Sequence, residues 1–312
     1  MSRRRRDLHP EVEAMLAALE SGFPDVTAFP ASEVRSMIAA RRAPLRGRPA
    51  MRTVWNLTIE GPDGDPLALR VYRPHTGADG LVPTIVFAHG GGFVFCGIDS
   101  HDEFARSLAE NTATVVVSVD YRLAPEHRAP AALEDVYTAV EWATGHAADF
   151  GGDPERVAVA GDSAGGLLSA GVCLAARERG GPLIAAQILL YPVIDDDFET
   201  ESYQRYGQGY YNTASAMKWY WDQYAPTGRD DMLVVPARAD SLAGLPPAVV
   251  VTAELDPPAD SGVRYAQRLR ADGVEVHTYQ LDGLFHGVLT FADFALTPQA
   301  RETVWELIRR VL

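Results

Sequence analysis

The sequence predicts an α/β fold: a mostly parallel, doubly wound sheet flanked by helices. Two observations carry this. Short Val- and Ile-rich runs without strict alternation recur along the chain, as strands buried on both faces do. Segments with helical patterns lie between them, and strands alternating with helices build βαβ units. A third observation raises the question of function. In "VAVAGDSAGGLL", residues 157–168, an apolar run enters a turn in which Ser163 is boxed between Gly161 and Gly165, and small residues then resume.

The elements follow in order. The N-terminal "MSRRRRDLHPEVEAMLAALESG" is not read as an export signal, because Asp7, His9, Glu11 and Glu13 interrupt any apolar stretch after the arginines. Leu8, Val12, Met15, Leu16 and Leu19 recur at helical spacing, so an amphipathic helix with a basic lead is expected. N-terminal helices are placed over residues 8–42. "RTVWNLTIEG" and "PLALRVYRP" read as strands, and the turn formers of "GPDGDP" between them predict a hairpin. "PTIVFAHG", "TATVVVSVDYR", "RVAVAGDS", "AAQILLYP", "PAVVVTAELD" and "VEVHTYQLDG" supply the remaining strands. Helices are expected at residues 101–111 and in "PAALEDVYTAVEWATGHAA", "AGGLLSAGVCLAARER", "PADSGVRYAQRLRADG" and "TPQARETVWELIRRVL".

One segment breaks the alternation. After "LLYPVIDD" the next strand waits until Pro247, across roughly fifty residues. Eight aromatics fall between Tyr203 and Tyr224. This reads as an inserted helical cap at about 196–235, joined by a helical segment over 1–45, with the main domain over 46–312. Met217, Tyr220, Trp221 and Tyr224 are expected as a buried helical stripe, and other residues of the segment as the lining of a pocket beneath.

Composition bounds the function. Hydrophobic residues at 47% and charged residues at 22% are those of a globular protein, and they exclude wholesale disorder. The 312 residues suit two domains or one large α/β domain with insertions. A net charge of −14 argues against nucleic-acid partners and polybasic membrane attachment. No window approaches the length of a membrane span. Two cysteines, Cys96 and Cys173, make neither a disulfide framework nor a zinc site, and a reducing cytoplasm is the expected location.

A serine hydroxyl is a poor nucleophile until a base takes its proton. The G-x-S-x-G turn sets it on a sharp strand-to-helix corner, where the following helix dipole and free N–H groups face developing negative charge. "HGGGF", His89 to Phe93, follows another strand. Its glycines let the N–H groups of Gly91 and Gly92 approach an oxyanion, with the N–H of Ala164 as third donor. A Walker loop would need Gly-Lys-Ser/Thr, which is absent here. His89 is read as a structural hydrogen-bonding residue. In this kind of site the partners follow the serine in the order acid, then histidine. That leaves His277, inside a strand, and His286, in the loop "DGLFHGV" after the last strand; the loop position favours His286 as base. The acid should also follow a strand. "VVVTAELDPP" offers Glu254 and Asp256, with Asp256 favoured because it leads directly into Pro257. Asp195 to Asp197 read as a solvated turn.

"HGGGF", "SVDYRLAPEHRAPAALEDV", "DPERVAVAGDSAGG", "LAGLPPAVVVTAELDP" and "FHGV" together resemble the bacterial hormone-sensitive-lipase-like carboxylesterases (family IV) of the α/β hydrolase fold. The resemblance runs in register from about residue 50 to the C-terminus. It implies Ser163 as nucleophile, Asp256 as acid and His286 as base. It implies an oxyanion hole of Gly91, Gly92 and Ala164, and an N-terminal helical cap. It further implies a small-molecule ester substrate with a short to medium acyl chain, and no metal or cofactor. Homodimers are common in that family. An amidase or peptidase on the same scaffold is the rival reading; a non-catalytic binding protein would be expected to lack one of these parts. The family usually reads Asp-Pro-Leu-Arg-Asp after the acid strand, whereas this chain has Pro258 and Ala259 at the third and fourth positions. Cys96 stands where the family often has glycine, and is expected as a small buried residue.

Overall fold

The computed structural model describes residues 8–40, 47–77 and 80–312. At its centre is one sheet in which eight strands take the order β1-β2-β4-β3-β5-β6-β7-β8. They are β1 (Thr53–Glu60), β2 (Pro66–Arg73), β3 (Val82–Ala88), β4 (Val115–Val119), β5 (Gly152–Asp162), β6 (Gln187–Leu190), β7 (Ala248–Leu255) and β8 (Val276–Phe285). β1 and β2 form the expected antiparallel hairpin, Thr53 opposite Arg73. β2 is also antiparallel to β4, and from β4 to β8 every pairing is parallel.

Strand parity sorts the apolar side chains into two cores. Val86, Ala88, Val115, Val117 and Val159 face one, with α4 (Ala131–His146), α5 (Ala164–Arg179) and α8 (Ala259–Ala271) packed on it. Ile85, Phe87, Val116, Ala158 and Ala160 face the other, covered by α3 (Asp102–Thr112) and α9 (Thr297–Val311), whose Phe104 and Trp305 rings meet at 5.6 Å. This double burial explains why β4 reads as an unbroken apolar run with one small serine.

The N-terminal region forms α1 (Pro10–Gly22), a 3₁₀ turn at Val26–Ala28 and α2 (Ala31–Ala40). Val12 and Leu16 enter the second core, and Val34 the first. Arg35 ties α2 to the loops after β3 and β4 through the carbonyls of Val94 and Ala124, both at 2.5 Å. The basic lead, residues 41–42 and the expected boundary at 45/46 lie outside the described residues.

The long connection after β6 carries α6 (Glu201–Tyr206) and α7 (Ala214–Tyr224). The stripe Met217, Tyr220, Trp221 and Tyr224 is buried as expected, with Tyr224 stacked on Phe93 at 3.9 Å. Asp195 to Asp197 are not a solvated turn. They are half-buried, and each holds an arginine from a later segment: Asp195 and Asp196 hold Arg238 at 3.1 and 2.6 Å, and Asp197 holds Arg264 at 3.3 Å. Pairing across sequence distance, invisible in a run of three acids, neutralises them. Among the described residues no helix is long and apolar enough to cross a membrane.

Candidate active site

The strand order places β3 between β4 and β5, so the chain leaves β3 toward one side of the sheet and later continues on the other. Ligands bind at the carboxyl ends of strands at such a switch point. "HGGGF" follows β3 and the serine turn follows β5, so the two glycine motifs become neighbours there.

Ser163 is the N-cap of α5, held at φ +55° and ψ −117°. A non-glycine residue in this region is strained, and strain of this kind collects at functional sites. Gly165 makes the corner feasible: a Cβ there would collide with the carbonyl oxygen of Ala88. Gly166 and Leu167 N–H groups turn back to the Ser163 carbonyl at 3.0 and 3.3 Å. Ala164 opens the helix, where N–H groups lack intrahelical acceptors.

The partners arrive from β7 and β8. His286 Nε2 lies 2.8 Å from Ser163 Oγ, and His286 Nδ1 lies 2.7 Å from Asp256 Oδ2. Asp256 is fully buried, and burial pushes its carboxyl above the usual range, against the pull of His286 and of the Asn212 side chain. Tyr191 packs its ring 5.1 Å from that of His286. Glu254 does something else: its Oε2 accepts the N–H of Gly283 at 2.6 Å, bracing the approach to His286. The β7–β8 register shifts between Ala253 and Leu255, leaving Glu254 out of the pairing and Asp256 beyond the strand end.

Gly91 and Gly92 sit at φ +120° and +58°, beside Ser163 in the lining of one cavity of about 370 Å³. The Gly91 carbonyl accepts N–H groups of Val94 and Phe95 at 3.0 and 3.1 Å, which fixes the loop. A Cβ at Gly92 would strike the ring of Tyr220, so α7 rests on this loop. His286, Phe23, Tyr211 and Trp221 also line the cavity. Cys96 departs from expectation: it is half-buried and lines the cavity at φ +75°, in a conformation that suits the glycine more frequent there.

A second cluster behind the glycine loop escaped the sequence reading. Asp162 Oδ1 accepts the Gly90 N–H at 2.7 Å and lies 3.3 Å from His101 Nε2. Burial alone would raise Asp162, but His101, the Gly90 N–H and His89 outweigh it and hold the carboxyl below its usual range. His89 stacks on Tyr121 at 4.2 Å and contacts the Gly90 carbonyl through Nδ1 at 2.7 Å; burial lowers it to about 3, so it stays neutral, the structural residue expected. The available signal was an Asp inside the G-x-S-x-G turn, but nothing local says that it meets His101. His277, as expected within β8, only pairs with Glu275 at 2.9 Å.

The α/β hydrolase fold family matches residues 85–290. Carboxylesterase NlhH of Mycobacterium tuberculosis is 39% identical over 305 residues, 94% of this chain and 93% of the relative. Carboxylic ester hydrolase LipN of the same organism is 45% identical over 244 residues, 76% of this chain, which spans 64% of LipN's length. Among solved structures, an ester-hydrolase from the metagenome of Lake Arreo, complexed with a derivative of bipyridine phosphonate, superposes with a TM-score of 0.90 at 35% identity, covering 97% and 98% of the two chains. The esterase from Pyrobaculum calidifontis gives 0.88 at 35% identity, covering 98% and 99%. With family, relatives and architecture in agreement, this chain belongs to the α/β hydrolase fold family, in its hormone-sensitive-lipase-like branch of carboxylic ester hydrolases.

Proposed function

We propose that the chain hydrolyses small carboxylic esters with short to medium acyl chains through an acyl-enzyme on Ser163. The observation that carries this reading is the continuous contact Ser163 Oγ, His286 Nε2, His286 Nδ1, Asp256 Oδ2, at 2.8 and 2.7 Å, opening into the cavity. His286 takes the Ser163 proton as Oγ attacks the ester carbonyl. Asp256 fixes the imidazole tautomer and stabilises the imidazolium. The N–H groups of Gly91, Gly92 and Ala164 receive the oxyanion. His286 then protonates the departing alkoxide, and water repeats the sequence on the acyl-enzyme, regenerating Ser163 and releasing the acid. The N-terminal helices and the insertion at about 196–235 act as the cap.

An organophosphonate should add one covalent label, on the peptide carrying Ser163, and Ser163→Ala should abolish both label and turnover. Labelling elsewhere, or an active Ser163→Ala, ends this reading. Matched ester and anilide substrates separate it from amidase chemistry, the ester being the faster by far. Acyl length follows from the cavity of about 370 Å³ and the rings of Phe23, Tyr211, Tyr220 and Trp221 in its wall. Each added methylene contributes at most about 0.8 kcal/mol while there is room. kcat/KM across a chromogenic ester series should peak at short chains, about two to eight carbons, as the family resemblance implies. Efficient turnover of emulsified long-chain triglyceride would contradict it.

A further inference from the structure

Asp256 uses only one of its two carboxylate oxygens. Oδ2 meets His286, whereas Oδ1 is buried and has no hydrogen-bond partner. A buried acceptor left in this state is costly, and native structures rarely leave one without reason. The backbone next to it cannot help. Pro257 and Pro258 have no N–H to donate, and the first available amide, Ala259, donates at 3.2 Å to the carbonyl oxygen of Asp256. Pro258, which departs from the family pattern, thus joins Pro257 in stripping donors from the acid turn.

One donor of matching need lies beside it. Asn212 is buried, its Nδ2 also lacks a partner, and it lines the cavity with Ser163 and His286, where its side chain pulls the Asp256 carboxyl down against burial. Asn212 comes from the α6–α7 connection, which is built to hold it there. Its N–H donates to the Tyr210 carbonyl at 2.9 Å. Tyr211 before it adopts φ +71°, with its ring edge-on to Phe23 at 5.2 Å and to Phe291 at 6.1 Å. Thr213 after it caps α7 by accepting the Ala216 N–H at 3.1 Å. The helix before it, α6, grips the acid turn from a second point: Ser202 Oγ donates to the Pro257 carbonyl at 2.6 Å, and Ser202 N–H donates to Asp260 Oδ2 at 2.9 Å.

We propose that Asn212 is a positioning residue for Asp256, its Nδ2–H donating to Oδ1 so that the segment above the pocket supplies the bond the proline turn cannot. The inference rests on the reading of Asp256 as the acid of a Ser163 hydrolase. In this arrangement Asn212 acts through Asp256 and touches none of the reacting atoms. Without its bond the carboxylate can rotate about its Cβ–Cγ axis, and the imidazole loses its fixed partner in the transition state.

The test is a double-mutant cycle read on a short-chain p-nitrophenyl ester at high enzyme concentration, with circular dichroism for folding. Asn212→Ala should lower kcat about tenfold and leave KM within twofold. In an Asp256→Asn background the same change should alter kcat less than twofold, because the group it acts through is gone. A merely structural role would carry its full loss into that background, and so would overturn the proposal, as would a kcat for Asn212→Ala within twofold of the parent. Should Asn212→Ala fail to fold, Asn212→Asp keeps the volume but replaces the donor with a like-charged acceptor. It should lower kcat more than tenfold, and a near-parental rate would overturn the proposal. Ser163→Ala run alongside separates the two levels: if it stays active, the hydrolase reading and this inference fall together, whereas an inactive Ser163→Ala with no coupling in the cycle removes only the role of Asn212.

Discussion

Two carboxylates close the carboxyl ends of neighbouring regions of the sheet, Asp162 at the end of β5 and Asp256 just past β7. Both are buried, yet their ionisation moves in opposite directions. Burial raises both. At Asp162, His101, the Gly90 N–H and His89 more than offset it; at Asp256, His286 and Asn212 do not. The difference is one of partners. Asp162 holds a loop still, with the Gly90 N–H and His101 both on its Oδ1. Asp256 Oδ2 meets the histidine whose charge it is proposed to stabilise, and Asn212 is the donor proposed for Oδ1. With burial common to both, it is the partners around each carboxylate that set the direction of its shift.

Breaking the second partner should have the largest effect. Asp256→Asn is expected to lower kcat on the order of 10⁴-fold, because the amide cannot fix the imidazole tautomer or stabilise its cation. Stability should move the other way. A carboxyl whose folded pKa lies above its unfolded value of about 3.9 loses stability as pH rises from the unfolded toward the folded pKa. Above the folded pKa the wild type carries that cost in full, so the Tm of Asp256→Asn should equal or exceed the parent's. A lowered kcat together with a collapsed Tm would mean that Asp256 is structural.

Breaking the first partner should reverse the balance. Asp162→Asn keeps an acceptor for Gly90 but removes the charge beside His101. A loosened glycine loop should cost kcat about tenfold to a hundredfold, short of losing an oxyanion donor outright. Its Tm at pH 7 should fall by a few degrees. Asp162 has a folded pKa below its unfolded value, so the stability it contributes is present above about pH 3.9 and lost as pH falls through the folded pKa. The Tm gap between parent and variant should therefore be widest at neutral pH and narrow below about pH 4. A gap that grew on acidification would contradict the assigned sign.

What was legible in the sequence follows from how local each feature is. Val115–Val119 reads as a buried strand because burial on both faces leaves no polar alternation to misread. Ser163 and the glycines around it announce the corner because the backbone geometry itself demands those residue types. Asp162 with His101, and Asp195 to Asp197 with their arginines, are pairings between distant segments, and no local pattern encodes them. Asn212 was hidden for the same reason, inside a stretch noticed only for its aromatics. The acid reads as Asp256 over Glu254 only from its place before Pro257; that Glu254 instead meets Gly283 while Asp256 meets His286 depends on the β7–β8 pairing, which no local pattern encodes.

Glu254 therefore supplies the smallest and sharpest test. It stands two residues from Asp256 on the same strand end, so a proximity argument would give it the same importance. Its partner says otherwise: Oε2 accepts the Gly283 N–H at 2.6 Å, on the run of β8 that leads to His286, and the Glu254 side chain is only half-buried. Glu254→Gln keeps an oxygen able to accept that N–H, and loses only the strengthening that a charged acceptor adds. A residue that acts by supporting a loop should cost tenfold in kcat or less on this substitution. Measured beside Asp256→Asn on one short-chain ester, the two losses should differ by about three orders of magnitude. If Glu254→Gln shows the larger loss, the acid is Glu254, and the bond of Asp256 to His286 is a scaffold like that of Asp162 to Gly90.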